Sequence, residues 1–202
     1  MDFTRLENEL FVHGRAAFEK IRAERPADHF YCFGLYTSGE FAFAAATASS
    51  YEGLEEAAVR YRAMTSFSSW AVEDLRRFLK WSPCDSPLHH LAGVDFEAME
   101  PTMAEIVGIF DSIEEEAFPE FCEQVHDAFI RALHRLDESG VFGTAEEREA
   151  VIVNLLLGDQ SDEDRLDYAA RLNSESQVKK LAIEFEDGHR SQASYVHKRK
   201  KA

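Results

Sequence analysis

The sequence is poor in cysteine and has no long apolar run. It contains three cysteines in 202 residues, Cys32, Cys84 and Cys122, an odd number at spacings that match no zinc ribbon or disulfide framework. No segment approaches the roughly 18 consecutive apolar residues of a membrane span, and the N-terminus lacks the apolar core of a secretion signal. We therefore expect a cytoplasmic protein in a reducing compartment.

Positive charge is also scarce. The chain has 38 acidic and 22 basic side chains, a formal charge of −16, and such a field repels nucleic acid and anionic membranes. The first 80 residues hold twelve acids and ten bases, but twelve acids and no lysine or arginine lie between Lys80 and Arg131. We expect no nucleic acid and no membrane as partner. This local surplus predicts either a solvated face or a surface that attracts a basic partner.

Hydrophobic periodicity indicates the fold, since apolar residues at 45% can form one sizeable core. The predicted helices are 4–24, 52–64, 111–136, 161–172 and 178–185, and the predicted strands are 30–37, 41–47, 77–81 and 151–157. Residues 70–81 also have the spacing of a short helix, and only their end, 77–81, is taken as an edge strand. We expect an α+β fold with a small, mainly antiparallel sheet and helices packed chiefly on one face. Residues 1–188 would form one domain, followed by a polar, basic and flexible tail over 189–202.

The predicted helix over 111–136 carries the strongest apolar stripe in the chain. Its spacing predicts that Phe118 and Phe129 are buried against the sheet. Pro119 fits the first turn, where its missing amide hydrogen costs little.

Three short segments carry a resemblance to a known family. They are the aromatic stretch Phe30–Thr37, the turn Trp81–Asp85 and the late segment Ala170–Asn173. In this order they resemble a bacterial family catalogued as domain of unknown function 4303, over residues 30–173. The turn departs from the family pattern at Ser86, where an aromatic residue usually follows the acidic one. The resemblance implies an α+β fold and a soluble bacterial protein, and no established activity comes with it.

A proline-bounded loop holds the candidates for catalysis. Cys84, Asp85, His89 and His90 lie close together in it, and a thiol near an imidazole can supply a nucleophile and a base. Neither a nucleophile elbow nor an orienting acid at a diagnostic distance accompanies them. A hydrolase-like enzyme with a site around Cys84 to His90 therefore stays the alternative to a binding protein.

A second pair of residues has a metal-ligand spacing. Cys122 and His126 stand four apart on the predicted helix, so both could face one metal ion. A buried thiol inside the apolar stripe and a histidine at its edge explain the same pattern. We predict no metal and no cofactor.

Consecutive carboxylates at Glu114, Glu115 and Glu116 could serve in acid–base chemistry. Acids in the first turn of a helix are also favoured by the helix dipole. Ser112 with Glu115 fits a capping box, so a structural role accounts for the cluster.

The charge distribution and the lack of a catalytic motif favour a non-enzymatic binding protein. We predict that an acidic face holds a basic protein partner, as an immunity-type or regulatory protein would. The predicted partner-binding residues are Trp81, Asp85, Glu114, Glu115, Glu116 and Glu120. The sequence leaves the oligomeric state open.

Overall fold

The computed structural model describes residues 1–89, 91 and 93–199, and in this part of the chain eight α-helices surround a three-stranded sheet. The helices are α1 (Phe3–Glu24), α2 (Tyr51–Arg62), α3 (Val72–Leu79), α4 (Glu100–Phe110), α5 (Phe118–Glu138), α6 (Ala145–Ala150), α7 (Asp162–Leu172) and α8 (Glu175–Arg199). The strands are β1 (Phe30–Thr37), β2 (Ala44–Ser50) and β3 (Ile152–Leu157).

The sheet has the strand order β2-β1-β3, with β1 in the centre. In the register, Leu35 of β1 lies opposite Ala46 of the antiparallel β2 and beside Leu155 of the parallel β3. The α+β class is confirmed, but the sheet is mixed rather than mainly antiparallel. Because helices cover both faces of β3, its mainly apolar sequence, interrupted at Asn154, suits a parallel position.

One face of the sheet, here called the front face, carries the main core. Helices α1 and α5 pack on it, and α5 buries Phe129 completely, as predicted. Phe18 of α1 meets the ring of Phe33 edge-on at 5.5 Å and the ring of Phe142 at 5.1 Å. Edge-to-face contacts of this kind add to the stabilisation from burial alone.

The opposite face, here called the back face, has two smaller cores. One joins Tyr31 and Cys32 of β1 to α2 and α3, and the other joins Ile152 of β3 to α7 and α8. The larger core therefore lies on the front face, but helices cover both faces of the sheet.

The prediction of an edge strand over 77–81 is wrong. These residues belong to α3 and the turn after it. Leu75 and Leu79 are buried one helical turn apart, whereas Arg76 and Arg77 face outward and pair with acids. This spacing fits a helix, in which residues four apart lie on the same face. In a strand, buried and exposed residues would alternate.

The acidic segment over residues 111–123 is organised differently from the prediction. The unpredicted helix α4 precedes it, and α5 begins only at Phe118, so Glu114–Glu116 lie in a connection rather than in a first turn. Ser112 forms no capping box, since its hydroxyl donates to the carbonyl of Gly108 at 2.7 Å. Pro119 lies in the first turn of α5, as predicted. Phe118 is 36% exposed rather than buried.

Strand β2 begins three residues later than predicted. Phe41 is excluded from it because its φ of 58° places it in a left-handed turn, with its ring buried in the front-face core. Such a conformation is rare for a bulky residue and ends a strand.

The last helix is longer than predicted. Residues 189–199 of the predicted tail continue α8 as helical backbone, and Lys200, Lys201 and Ala202 lie outside the described residues. No helix in the described part of the chain combines the length and the apolar character needed to cross a bilayer.

Candidate functional site

Residues 81–86, here called the Trp81 loop, are fastened to α2 through Asp85. The carboxylate of Asp85 accepts hydrogen bonds from the hydroxyl groups of Tyr61 and Ser82, the latter at 2.6 Å, and its carbonyl accepts one from Arg60 at 2.9 Å. The bond to the carboxylate raises the pKa of Tyr61 to about 12. Asp85 therefore holds the loop in place.

Trp81 joins the loop to the helices of the back face. Its indole Nε1 donates to Glu184 of α8 at 3.0 Å, and the ammonium of Lys80 binds the same oxygen at 2.8 Å. The indole ring meets Tyr31 edge-on at 5.4 Å and Phe185 at 6.0 Å. The half-buried Trp81 thus lies where α3, α8 and the sheet meet.

A cleft of about 180 Å³, here called the Trp81 cleft, opens between α3, α7 and α8. Its aromatic wall is formed by Phe78, Trp81 and Phe185, and its polar wall includes Arg165 and His189. Concave sites that combine apolar walls with a few polar groups are the usual form of small-ligand sites.

Arg165 is the least satisfied cation at this cleft. Its Nη1 donates to the carbonyl of Trp81 at 3.2 Å, and its buried Nε has no partner among the described residues. It forms no ion pair with any described carboxylate, although the chain is strongly acidic. The guanidinium also lies near the central strand. Burial raises the pKa of Cys32 to about 12, and the charge of Arg165 opposes that rise.

A row of small and polar residues crosses the back face. Thr47, Gly34 and Asn154 are neighbours on the three strands, and Thr47 and Asn154 are 1% and 3% exposed. Their side-chain oxygens have no partner among the described residues, while the amide of Asn154 donates to the carbonyl of Arg165 at 3.0 Å. Asn154 therefore fixes the backbone that presents the Arg165 guanidinium.

The proline-bounded loop brings two of its candidate groups to Tyr36. The thiol of the exposed Cys84 lies 3.5 Å from the Tyr36 hydroxyl, and the buried His89 ring meets the Tyr36 ring edge-on at 4.9 Å. The hydrogen bond with Cys84, together with burial, raises the pKa of Tyr36 to about 12. Tyr36 is therefore a protonated phenol at neutral pH. His90 lies outside the described residues.

His126 and Cys122 belong to the packing between α5 and α7. The Tyr168 hydroxyl lies 2.9 Å from His126 Nδ1, and the imidazole packs edge-on against Phe41 at 5.2 Å. Burial lowers the pKa of His126 and raises that of Cys122. Among the residues that the structure describes, no group of three or more potential ligands surrounds a position for a metal ion.

The segment 111–123, here called the acidic surface, lies apart from the Trp81 cleft. Its exposed carboxylates are those of Asp111, Glu114, Glu115, Glu116, Glu120 and Glu123. None of them forms an ion pair within the described residues, whereas Asp127, one turn further along α5, pairs with Arg171 at 2.5 Å. Phe118 lies among them, and its partly exposed ring packs edge-on against Phe110 at 4.9 Å.

Comparison with protein families gives a match over most of the chain. The family described as domain of unknown function (DUF4303) matches residues 13–174. The chain belongs to this family. Comparisons with curated proteins and with solved structures gave no match.

The DUF4303 match includes all three segments that carry the resemblance. In the structure, each of these segments contacts another part of the fold. The strand at Phe30–Thr37 and the Trp81 loop meet through Tyr36 and Cys84. At the end of α7, the Asn173 amide exchanges two hydrogen bonds with the backbone of Val153, at 2.9 and 2.7 Å. These segments fix the loop and α7 on the sheet.

The predicted partner-binding residues of this DUF4303 domain fall into two groups. Trp81 and Asp85 border the back face, while Glu114–Glu116 and Glu120 lie on the acidic surface, and no described contact joins the groups. Sequence reasoning missed Arg165 and Asn154, because their meeting depends on elements distant in the chain. Gly34 was the available signal, since a glycine inside a strand often marks a close approach.

Proposed function

We propose that this DUF4303 domain is a non-enzymatic binding protein that holds a basic protein partner on its acidic surface. The observation that carries the proposal is the set of six exposed carboxylates without an ion-pair partner among the described residues. An immunity-type protein that neutralises a toxin domain, or a regulatory subunit, is the kind of protein that uses such a surface. Three unpaired cysteines support a reducing setting, and the proposed location is the bacterial cytoplasm.

Charge and shape have separate roles in this proposal. Unpaired carboxylates attract a cationic partner over long range and raise its association rate. Phe118 is partly exposed among them, and an aromatic side chain at the centre of an interface often supplies much of the binding energy. The acidic rim would therefore set the rate and the salt dependence, and Phe118 would set the lifetime of the complex.

The proposed interface no longer includes every residue that the sequence indicated. Asp85 is bonded to Tyr61 and Ser82, and the Trp81 indole is bonded to Glu184. Both side chains are used inside the molecule, so the proposal rests on Glu114–Glu116, Glu120 and the aromatic ring among them.

Charge reversal tests the acidic surface. The triple variant Glu114→Lys, Glu115→Lys and Glu120→Lys should lose capture of a basic protein from extract of the native cell at low salt. With the captured partner purified, association should slow by at least about tenfold, because steering raises such rates roughly 10- to 1,000-fold. Glu120 lies in the first turn of α5, so its reversal costs up to about 1 kcal/mol of stability.

A matched control changes the same charge elsewhere. Glu24→Lys, Glu40→Lys and Glu138→Lys also reverse three exposed acids that form no described ion pair, and this variant should keep the partner. Capture by the first variant with an unchanged salt slope would mean that the acidic surface serves solubility alone. Phe118→Ala separates the two roles, since it should speed dissociation and leave the salt slope unchanged.

A further inference from the structure

We propose that the Trp81 cleft binds a small molecule that carries a planar apolar ring and one oxyanion, either a carboxylate or a phosphate. This site is distinct from the acidic surface, and it takes a ligand of the opposite charge. Arg165 would bind the oxyanion, and Trp81 and Phe185 would contact the ring.

Arg165 carries the argument for an anion. A guanidinium has five N–H donors and no acceptor, yet the described contact of this one is a single bond to the Trp81 carbonyl. It is only partly exposed, and its buried Nε has no partner in the part of the chain that the structure describes. A partly desolvated cation is stabilised by an anion, and the planar fork of arginine fits carboxylate and phosphate oxygens.

The other charged side chains at the cleft already have hydrogen-bond or ion-pair partners. Glu184 accepts from Lys80 at 2.8 Å and from the Trp81 indole, and Asp162 is bonded to His189 at 2.6 Å. Arg77 at the rim pairs with two acids of its own helix, at 3.3 and 3.4 Å. Among the described residues that line the cleft, Arg165 is therefore an arginine without an ion-pair partner, and an anionic ligand can supply one.

The aromatic wall sets the other half of the ligand. Phe78, Trp81 and Phe185 line the cleft together, and an aromatic ring gains dispersion and edge-to-face contacts against such a wall. The cleft of about 180 Å³ is smaller than the roughly 300 to 1,000 Å³ of sites for drug-sized ligands. A ligand with one ring and one anionic group is the size that fits.

The site is held in place before any ligand arrives. The buried amide of Asn154 binds the backbone carbonyl of Arg165 at 3.0 Å, and the Trp81 ring is fixed by the indole bond to Glu184. Groups that are already oriented lose little entropy when a ligand binds.

Titration of the full chain with four probes tests the proposal, with the indole N–H resonance of Trp81 as the readout, assigned by its loss in Trp81→Phe. Phenyl phosphate and benzoate should shift this resonance saturably, and benzyl alcohol, which has the ring but no anion, should not. Inorganic phosphate should bind at least about tenfold more weakly than phenyl phosphate, since the ring contributes through burial of apolar surface. The comparison of phenyl phosphate with benzoate distinguishes the two oxyanions.

Variants assign the site. Arg165→Gln should weaken phenyl phosphate binding at least about tenfold, because it removes a charge-assisted contact. Arg171→Gln is its control, since Arg171 lies on the same helix but pairs with Asp127. Gln192→Glu adds a negative charge at the exposed rim of the cleft and should also weaken binding. Ala193→Glu adds the same charge at an exposed neighbouring position outside the described lining and should not.

The contradicting outcomes are equally specific. Unchanged binding by a folded Arg165→Gln variant overturns the proposal, as does equal binding of inorganic phosphate and phenyl phosphate. If Arg165→Gln does not fold, the pair Gln192→Glu and Ala193→Glu decides, because both positions are exposed. Equal affinity in that pair, or no saturable shift with either ring-bearing anion, also overturns the proposal.

Discussion

The two faces of the central sheet share three strands but carry different chemistry. The front face presents large apolar side chains, among them Phe33, Leu35 and Val153, against α1 and α5. At the neighbouring positions, the back face presents Gly34 and Asn154. The period-two alternation of a strand allows this division. Stability is concentrated on the front face, while the back face arranges individual polar groups.

The difference also extends to the kind of contact. Each front-face side chain contacts several apolar neighbours and needs no particular partner or orientation, because dispersion and the hydrophobic effect are not directional. Back-face residues have specific partners, such as the pair formed by the Trp81 indole and Glu184 at 3.0 Å or that of the Asn154 amide and the Arg165 carbonyl. We therefore expect front-face substitutions to leave cavities in the main core, and back-face substitutions to displace individual strands and polar groups.

The largest expected effect lies on the front face. Phe129→Ala should lower the free energy of unfolding by about 3 to 5 kcal/mol, because a fully buried ring leaves a cavity. Urea denaturation measures the change. Ile183→Ala at a 58% exposed position is the control and should change stability by less than about 0.5 kcal/mol. A loss below about 1 kcal/mol at Phe129 would contradict the assignment of the main core.

On the back face, Gly34→Ala should cost about 1 to 3 kcal/mol through overpacking. The added Cβ would lie 2.8 Å from the backbone oxygen of Asn154 and 3.0 Å from Leu156 Cδ1, so β1 and β3 would have to separate. Gly39→Ala is the control, since no atom of the described residues lies within 4 Å of its added Cβ. Equal stability of the two variants, measured by thermal denaturation, would show that the row at Gly34 is not tightly packed.

A pH-dependent effect is expected at the edge of the front face. Burial lowers the pKa of His126 from 6.5, so the unfolded chain takes up a proton before the folded one does. Stability should therefore decrease as pH falls through about 6.5 and below, by at most about 1.4 kcal/mol per pH unit.

The variant His126→Gln should remove this contribution, measured as the difference from the unmodified protein in urea titrations between pH 7 and 5. The comparison with the unmodified protein is needed because Glu52 raises the pKa of His29. Protonation of His29 therefore changes stability with pH in the opposite direction. His134→Gln, at an exposed position on the same helix, is the control. An unchanged pH dependence in His126→Gln would mean that His126 takes up its proton equally in both states.

The smallest expected effect concerns a buried hydroxyl on the back face. Thr47→Val should be neutral or should stabilise by up to about 1 kcal/mol, because the Thr47 oxygen has no partner among the described residues. Thr37→Val provides the contrast, since the Thr37 hydroxyl donates to the carbonyl of Phe43 at 2.6 Å and its loss should destabilise. A clear cost at Thr47, measured by thermal denaturation, would show that its hydroxyl is bonded in solution.

Local periodicity predicted the elements whose residues carry their own pattern. The spacing of apolar residues in α1 and the aromatic run of β1 gave bounds that agree with the structure within about two residues. It failed where a short segment had two readings, as in α3, and it missed α4 altogether. Whether such a segment forms a helix or a strand depends on which other elements pack against it.

The two candidate sites also differ in whether the sequence could predict them. The acidic surface was predictable, because charge density along the chain is a property of consecutive residues. The Trp81 cleft was not predictable, since Arg165 and Trp81 are 84 positions apart, and Trp81 and Glu184 are 103 apart.

The sequence by itself therefore determined the fold class, the central strand, the two long front-face helices and the position of the excess negative charge. Only the tertiary structure decided that β3 lies parallel beside β1, and that an arginine with no carboxylate partner among the described residues faces an aromatic wall. The physical reason is that periodicity and charge are properties of consecutive residues. Strand pairing and clefts depend instead on contacts between distant segments, and the loop-closure entropy and the buried area of such contacts are set by the whole chain.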